Sequence, residues 1–109
     1  MIIARTYLNA LQEKQKEVLQ TLLSMVEPPK NGNGLISYAI YRDIEDKNVF
    51  NLISSWENRD HLNRHLNSER FGVLLGIKSL LCHPIEIEIL TILEVEGMEA
   101  VKVVRNKKT

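Results

Sequence analysis

The chain has 109 residues, 44% hydrophobic and 26% charged, the composition of one soluble domain with a single core. Fourteen basic residues offset fourteen acidic ones, and a net charge of zero gives no electrostatic footprint for nucleic acid. One cysteine, Cys82, excludes an intrachain disulfide framework and fits a reducing compartment, and no apolar run approaches the roughly 20 residues that span a bilayer. The first residues lack a charged region followed by an apolar core, so no signal peptide is expected and a cytoplasmic location is.

Residues 2–8 are short, apolar and partly β-branched, which predicts a first strand. Asn9 stands where an N-cap belongs, with Gln12 three residues on. From 10 to 26, Leu11, Val18, Leu22, Met25 and Val26 form one stripe, widened by Leu19 and Leu23, opposite Glu13, Lys14, Lys16 and Glu17. That pattern predicts an amphipathic helix, stopped by Pro28-Pro29 and followed by a flexible turn over 30–34. Residues 35–42 alternate, with Leu35, Ser37, Ala39 and Tyr41 on one face and Ile36, Tyr38, Ile40 and Arg42 on the other. The polar run 43–48 predicts a turn, and 49–56 the second strand of a hairpin, with Phe50, Leu52, Ser54 and Trp56 sharing a face.

The period then changes to helical at Leu62, His65 and Leu66, with Asn58 as the expected N-cap. Asn67-Ser68 interrupts this helix. Ser68 is expected to cap a further piece running to Leu81 and carrying Phe71, Leu74, Leu75 and Ile77 inward; Gly72 and Gly76 favour two pieces with a bend over one rigid rod. His83-Pro84 ends it. Residues 85–93 predict a strand solvated on one face at its start and buried on both faces later. Glu96-Gly97 breaks it, and 100–104 (AVKVV) offers one more short strand.

The element order is β-α-β-β-α-β, an α+β ferredoxin-like arrangement with an antiparallel sheet. It spans residues 1–97, leaving 98–109 as an extension with a basic end, Lys102, Arg105, Lys107 and Lys108. Two helices on one sheet face leave the other face, with its apolar residues, open to water. A homodimer joined sheet against sheet, a dimeric α/β barrel, is the expected solution, with the extension adding to the partner's sheet.

Chemistry in the chain centres on His65. It lies beside Leu62 and Leu66 on the inward stripe, where its imidazole could take a proton from a phenol or quinol. The plainer reading is a helix histidine bonded to a backbone carbonyl or to a neighbouring subunit. His61 and His65 have the i, i+4 spacing of a metal pair, but no complete ligand set accompanies them and Arg64 would repel a cation, so no metal is expected. Tyr38, Tyr41, Phe50 and Trp56 could form an aromatic wall for a flat ring or simply core. The odd separation of Tyr38 and Tyr41 lets only one of them line a pocket inside the domain. Asn51, on the second hairpin strand, and Phe71 complete the candidate substrate-binding set. Cys82 follows Leu80-Leu81 and reads as a buried, inert thiol. No Ser-His-Asp spacing, phosphate-binding glycine loop or dinucleotide fingerprint is present, so no cofactor is expected.

The run Gly34-x-x-Ser37-Tyr38-x-x-Tyr41-Arg42-Asp43, then Trp56-Glu57-Asn58-Arg59 and the pair His65-Leu66, resembles the antibiotic biosynthesis monooxygenase family. The resemblance implies a small ferredoxin-like dimer and a monooxygenase that oxidises a small aromatic or quinol-like substrate with O₂, without metal or flavin. A small-molecule-binding or stress-associated dimer without turnover is the alternative. The haem-degrading branch of these relatives carries an iron-ligating histidine shortly after the phenylalanine matching Phe71; here Leu75 stands at that place, which disfavours haem degradation.

Overall fold

The computed structural model describes residues 1–26 and 32–107. Four strands, β1 (Ile2–Asn9), β2 (Leu35–Arg42), β3 (Val49–Trp56) and β4 (Glu86–Thr91), form one antiparallel sheet in the order β2-β3-β1-β4. Helices α1 (Gln15–Met25), α2 (Arg59–Leu66) and α3 (Glu69–Leu75) lie in the connections, and α4 (Met98–Asn106) follows the sheet. The fold is α+β and ferredoxin-like, with the helices of the two β-α-β halves on one face.

Side-chain period decides which residues form the core. On β1 the even positions Ile2, Ala4, Thr6 and Leu8 are buried beneath the helices; on β3 Phe50, Leu52, Ser54 and Trp56 are. Val18, Leu22 and Met25 of α1 close over Leu8, Phe50 and Leu52, joined by Phe71 and Leu74 of α3. A second cluster gathers Ile2, Ala4, Leu35, Trp56 and Leu62, and Tyr38 and Leu66 touch both. The hairpin turn is held by its own carboxylates: Asp43 Oδ1 accepts from the N–H groups of Glu45 (2.7 Å) and Asp46 (2.9 Å), and Asp46 Oδ1 from that of Asn48 (2.9 Å).

The two expected caps of the second helical region are present. Asn58 Oδ1 accepts from the His61 N–H at 3.1 Å, and Ser68 Oγ from the Phe71 N–H at 3.2 Å. Ser68→Ala should therefore cost about 1 kcal/mol of stability. A urea midpoint identical to wild type would show that the α2–α3 elbow does not depend on this bond.

The structure departs from the sequence pattern at several points. Asn9 is the last residue of β1 and caps nothing: its carbonyl accepts from the Cys82 N–H (2.8 Å), and Ala10 bridges to Leu81. The pairing keeps the chain extended, so helical structure begins only with a 3₁₀ turn at Gln12–Lys14. Leu23 and Val26 of the expected stripe are exposed, since α1 is covered along one narrow line. The Pro28-Pro29 stop and residues 30–31 of the expected turn lie outside the described residues.

On β2 a bulge at Ile36 inserts one residue between the Leu35–Trp56 and Ser37–Ser55 pairs. Leu35 thereby joins Tyr38 on the buried face instead of Ser37 and Ala39. The second helical piece ends at Leu75, capped by Gly76, and Leu75 points outward. β4 is an edge strand with no residue fully buried, since it has a neighbour, β1, on one side alone in the sheet order. Residues 98–106 form helix α4 where a strand was expected over 100–104. Without a neighbouring strand an extended segment leaves its backbone groups unpaired, whereas a helix pairs its own.

Candidate functional site

Local geometry puts His65 over the sheet. The Asn58 cap starts α2 immediately after Trp56, and the turn of the helix then brings Leu62, His65 and Leu66 onto one side. Leu62 is fully buried and anchors the helix; His65 and Leu66 are half-buried beside it. The imidazole lies against the Trp56 indole, centroids 4.9 Å apart and planes tilted by 31°. Tyr38 meets it edge-on at 5.6 Å and Phe71 at 5.4 Å. Trp56 is itself fixed, since its Nε1–H donates to the buried Ser54 Oγ at 2.9 Å. Side chains from β2, β3 and α3 thus surround the His65 ring and restrict its orientation.

The far side of His65 opens into a cavity of about 420 Å³, walled by Trp56, His61, Arg64, His65, Ser68 and Arg70. The loop residues Gly32 and Asn33 close its edge. His61, Arg64, His65 and Ser68 follow i, i+3, i+4, i+7 spacing, one helix side carried past the elbow, and Arg70 comes from α3. Gly34, with φ +69°, passes so close to His61 that a Cβ there would fall 2.1 Å from Cγ of its ring. Among the described residues the buried Nδ1 of His61 has no hydrogen-bond partner. The arrangement can hold a flat ring against Trp56, present an imidazole to it, and meet negative charge with two guanidinium groups.

Of the residues expected from sequence, His65, Tyr38, Trp56 and Phe71 are brought together. Phe50 is not: it lies at the opposite end of β3, six residues or about 20 Å from Trp56 at the usual strand rise, sealed in the core under the Arg42 guanidinium. Tyr41 and Asn51 pair across the strands on the outer face of the sheet, away from the helices. Tyr38 is therefore the tyrosine inside the domain, and its hydroxyl is buried. Sequence reasoning misses Arg70 and residues 32–33 as lining, and it leaves His61 and Arg64 outside the substrate-binding set. The helical spacing of His61, Arg64 and Ser68 relative to His65 was the available signal, whereas Arg70 depends on the angle between α2 and α3.

A larger groove, about 650 Å³, lies elsewhere, where Leu75, Leu81, Cys82, His83 and Ile85 meet. Cys82 is exposed there, not buried as expected, because 81–82 forms the outer rim that bonds back to residues 9–10; its thiol donates to the Ala10 carbonyl at 3.4 Å. No three His, Cys, Asp or Glu side chains converge as a metal-binding group among the described residues. No described helix is long and apolar enough to cross a membrane.

Residues 1–74 match the family model for antibiotic biosynthesis monooxygenase. The chain is 28% identical over 98 residues to the uncharacterized protein sll1783 of Synechocystis, covering 89% of this chain and 67% of that one. It superposes with a TM-score of 0.79 on a Deinococcus radiodurans protein named as a candidate antibiotic biosynthesis monooxygenase (19% identity, 89% of this chain and 97% of that one). Rv0793 from Mycobacterium tuberculosis gives 0.77 at 18% identity, with 88% and 98% covered. PA3566 from Pseudomonas aeruginosa gives 0.73 at 24% identity, with 85% and 94% covered. At these identities the solved structures establish the shared fold.

Proposed function

We propose a function from one premise: this chain belongs to the antibiotic biosynthesis monooxygenase family. It is a cofactor-independent monooxygenase that takes a small aromatic or quinol-like substrate into the His65 cavity. The observation that supports this most directly is the His65 ring, held among Tyr38, Trp56 and Phe71 at the mouth of a 420 Å³ cavity.

His65 acts as the base. A quinol anion is a far better reductant than the neutral quinol, so proton removal comes first. The anion passes one electron to O₂, and the two radicals join at the neighbouring ring carbon to give a hydroperoxide. Loss of water from it leaves one oxygen atom on the carbon. A quinol and O₂ thus become a hydroxyquinone and water, with every electron supplied by the substrate. The aromatic walls keep water from the intermediate. O₂ uptake with a naphthoquinol, and one ¹⁸O atom from ¹⁸O₂ in the hydroxyquinone product, test the reading. Binding of the quinol without O₂ consumption would favour the alternative, a ligand-binding dimer.

The working unit is proposed to be a homodimer formed through the outer sheet face, where Ile3, Tyr7, Ala39, Tyr41, Ile53 and Leu90 are uncovered by helix. The extension contributes to it. Helix α4 buries none of its nine residues, and Met98, Val101, Val103 and Val104 are exposed, as are Leu93 and Val95 before it. Helices shorter than about 12 residues are marginal in water without tertiary packing, and a radius of gyration of 16.7 Å exceeds the roughly 13 Å of a compact chain this long. Light scattering should give twice the chain mass at micromolar concentration, and truncation after Gly97 should raise the dimer dissociation constant. A monomeric full-length chain would sink this arrangement.

A further inference from the structure

We infer that the groove at 75–85 receives helix α4 of a second copy, so that two chains exchange their C-terminal helices. The inference rests on the proposed association of two copies and not on the oxygenase reading; it names the surface that takes up the extension.

Helix and groove are each apolar and each open to water. Met98, Val101 and Val104, three residues apart, share one side of α4 with Ala100, whereas Glu99, Lys102 and Asn106 share the other. Met98, Val101 and Val104 are exposed, and α4 buries none of its residues. The groove, about 650 Å³, has an aliphatic wall of Leu75, Leu81 and Ile85, with Lys78 and Cys82 exposed along it. A helix laid into such a groove by residues three and four apart is a recurring mode of association. The charges agree with it: Glu94 and Glu96 lead into α4, and Lys78 stands in the groove.

The sheet decides whose helix arrives. The groove lies at the end of the sheet where Ala10 bridges to Leu81 and Ile85 leads into β4. The chain leaves β4 at the other end, where Thr91 pairs with Ile2 and the Ile92 N–H donates to the Met1 carbonyl. To fill its own groove, the segment 92–97 would have to run back along the whole of β4, roughly 20 Å at the usual strand rise, which is its full reach. A two-fold axis across the strands instead brings the exit end of one sheet beside the groove end of its partner. Each copy then gives one helix and accepts one, and the assembly closes as a pair.

The chain carries its own probe. Cys82 is its single cysteine and is exposed in the groove. Val104→Cys adds a thiol to the apolar side of α4, and Lys102→Cys adds one to the polar side as a control. Treated with oxidised glutathione at micromolar protein, Val104→Cys should form a covalent dimer on a non-reducing gel. Lys102→Cys should stay at the wild-type level, and Cys82→Ser in the Val104→Cys chain should abolish the product. Val104→Asp should raise the dimer dissociation constant about ten-fold, since a valine side chain loses its apolar site. A fast-migrating monomer with an internal disulfide would put α4 in its own groove and overturn the exchange. So would no disulfide, equal yields from the two positions, or an unchanged constant in Val104→Asp. Light scattering separates this from association through the sheet face. A dimer that never cross-links leaves the sheet-face dimer standing and sinks the docking of α4. A cross-linked dimer that Ile53→Lys on the outer face does not weaken upholds the docking and sinks the sheet-face arrangement instead.

Discussion

His65→Ala is expected to lower kcat for quinol oxygenation by about 10²–10⁴, the range for loss of a positioned base. The imidazole lies within 4.9–5.6 Å, centroid to centroid, of three aromatic rings. It could thus serve packing as well as proton transfer, and a second variant separates the two. His65→Phe keeps a ring between Trp56 and Phe71 but has no nitrogen to accept a proton. If His65 is the base, both variants lose turnover and the phenylalanine variant keeps its thermal stability. If the ring only fills space, His65→Phe oxygenates at the wild-type rate, and the base assignment is wrong. His61 cannot substitute easily, because its Cβ and ring are pressed against the Gly34 backbone. Addition of free imidazole to the alanine variant should restore part of the rate.

Gly34→Ala should destabilise the protein by about 2–4 kcal/mol, from two separable causes. The first is backbone: φ is +69°, which costs an L-residue about 1 kcal/mol. The second is contact: the added methyl would lie 2.1 Å from Cγ and 2.4 Å from Cδ2 of His61, and forcing such an overlap apart costs about 1–3 kcal/mol. Gly32 provides the control. It too has positive φ, +89°, but among the described residues nothing lies within 4 Å of the site of its Cβ. Gly32→Ala should therefore show only the first cost. Urea titrations of both variants at one protein concentration give the comparison, since association would otherwise shift the midpoints. Equal losses in the two would mean that His61 moves aside freely. The ring is wedged between this loop and the cavity, so its displacement should also weaken quinol binding in Gly34→Ala.

The features that the amino-acid sequence determined are those with a local cause. Alternation on β3 places Phe50, Leu52, Ser54 and Trp56 on the buried face because successive side chains in a strand point opposite ways. Asn58 and Ser68 cap α2 and α3 because each has a short side-chain acceptor within reach of an N–H three residues on. The convergence of Tyr38, Trp56, His65 and Phe71 follows from those periods once hairpin and helix are adjacent.

Tertiary structure decided what local periods cannot encode. The bulge at Ile36 turns Leu35 inward, and one inserted residue reverses the parity on which any alternation argument depends. Phe50 and Trp56 share a face, yet strand rise separates them, so only one reaches His65. Valines 101, 103 and 104 favour a strand by propensity, but a strand needs a neighbour; lacking one, the segment closes its own hydrogen bonds as α4. Arg64 and Arg70 line one cavity although they belong to different helices. Their approach is set by the angle at Asn67-Ser68, and that angle comes from Leu62, Phe71 and Leu74 finding places in the core.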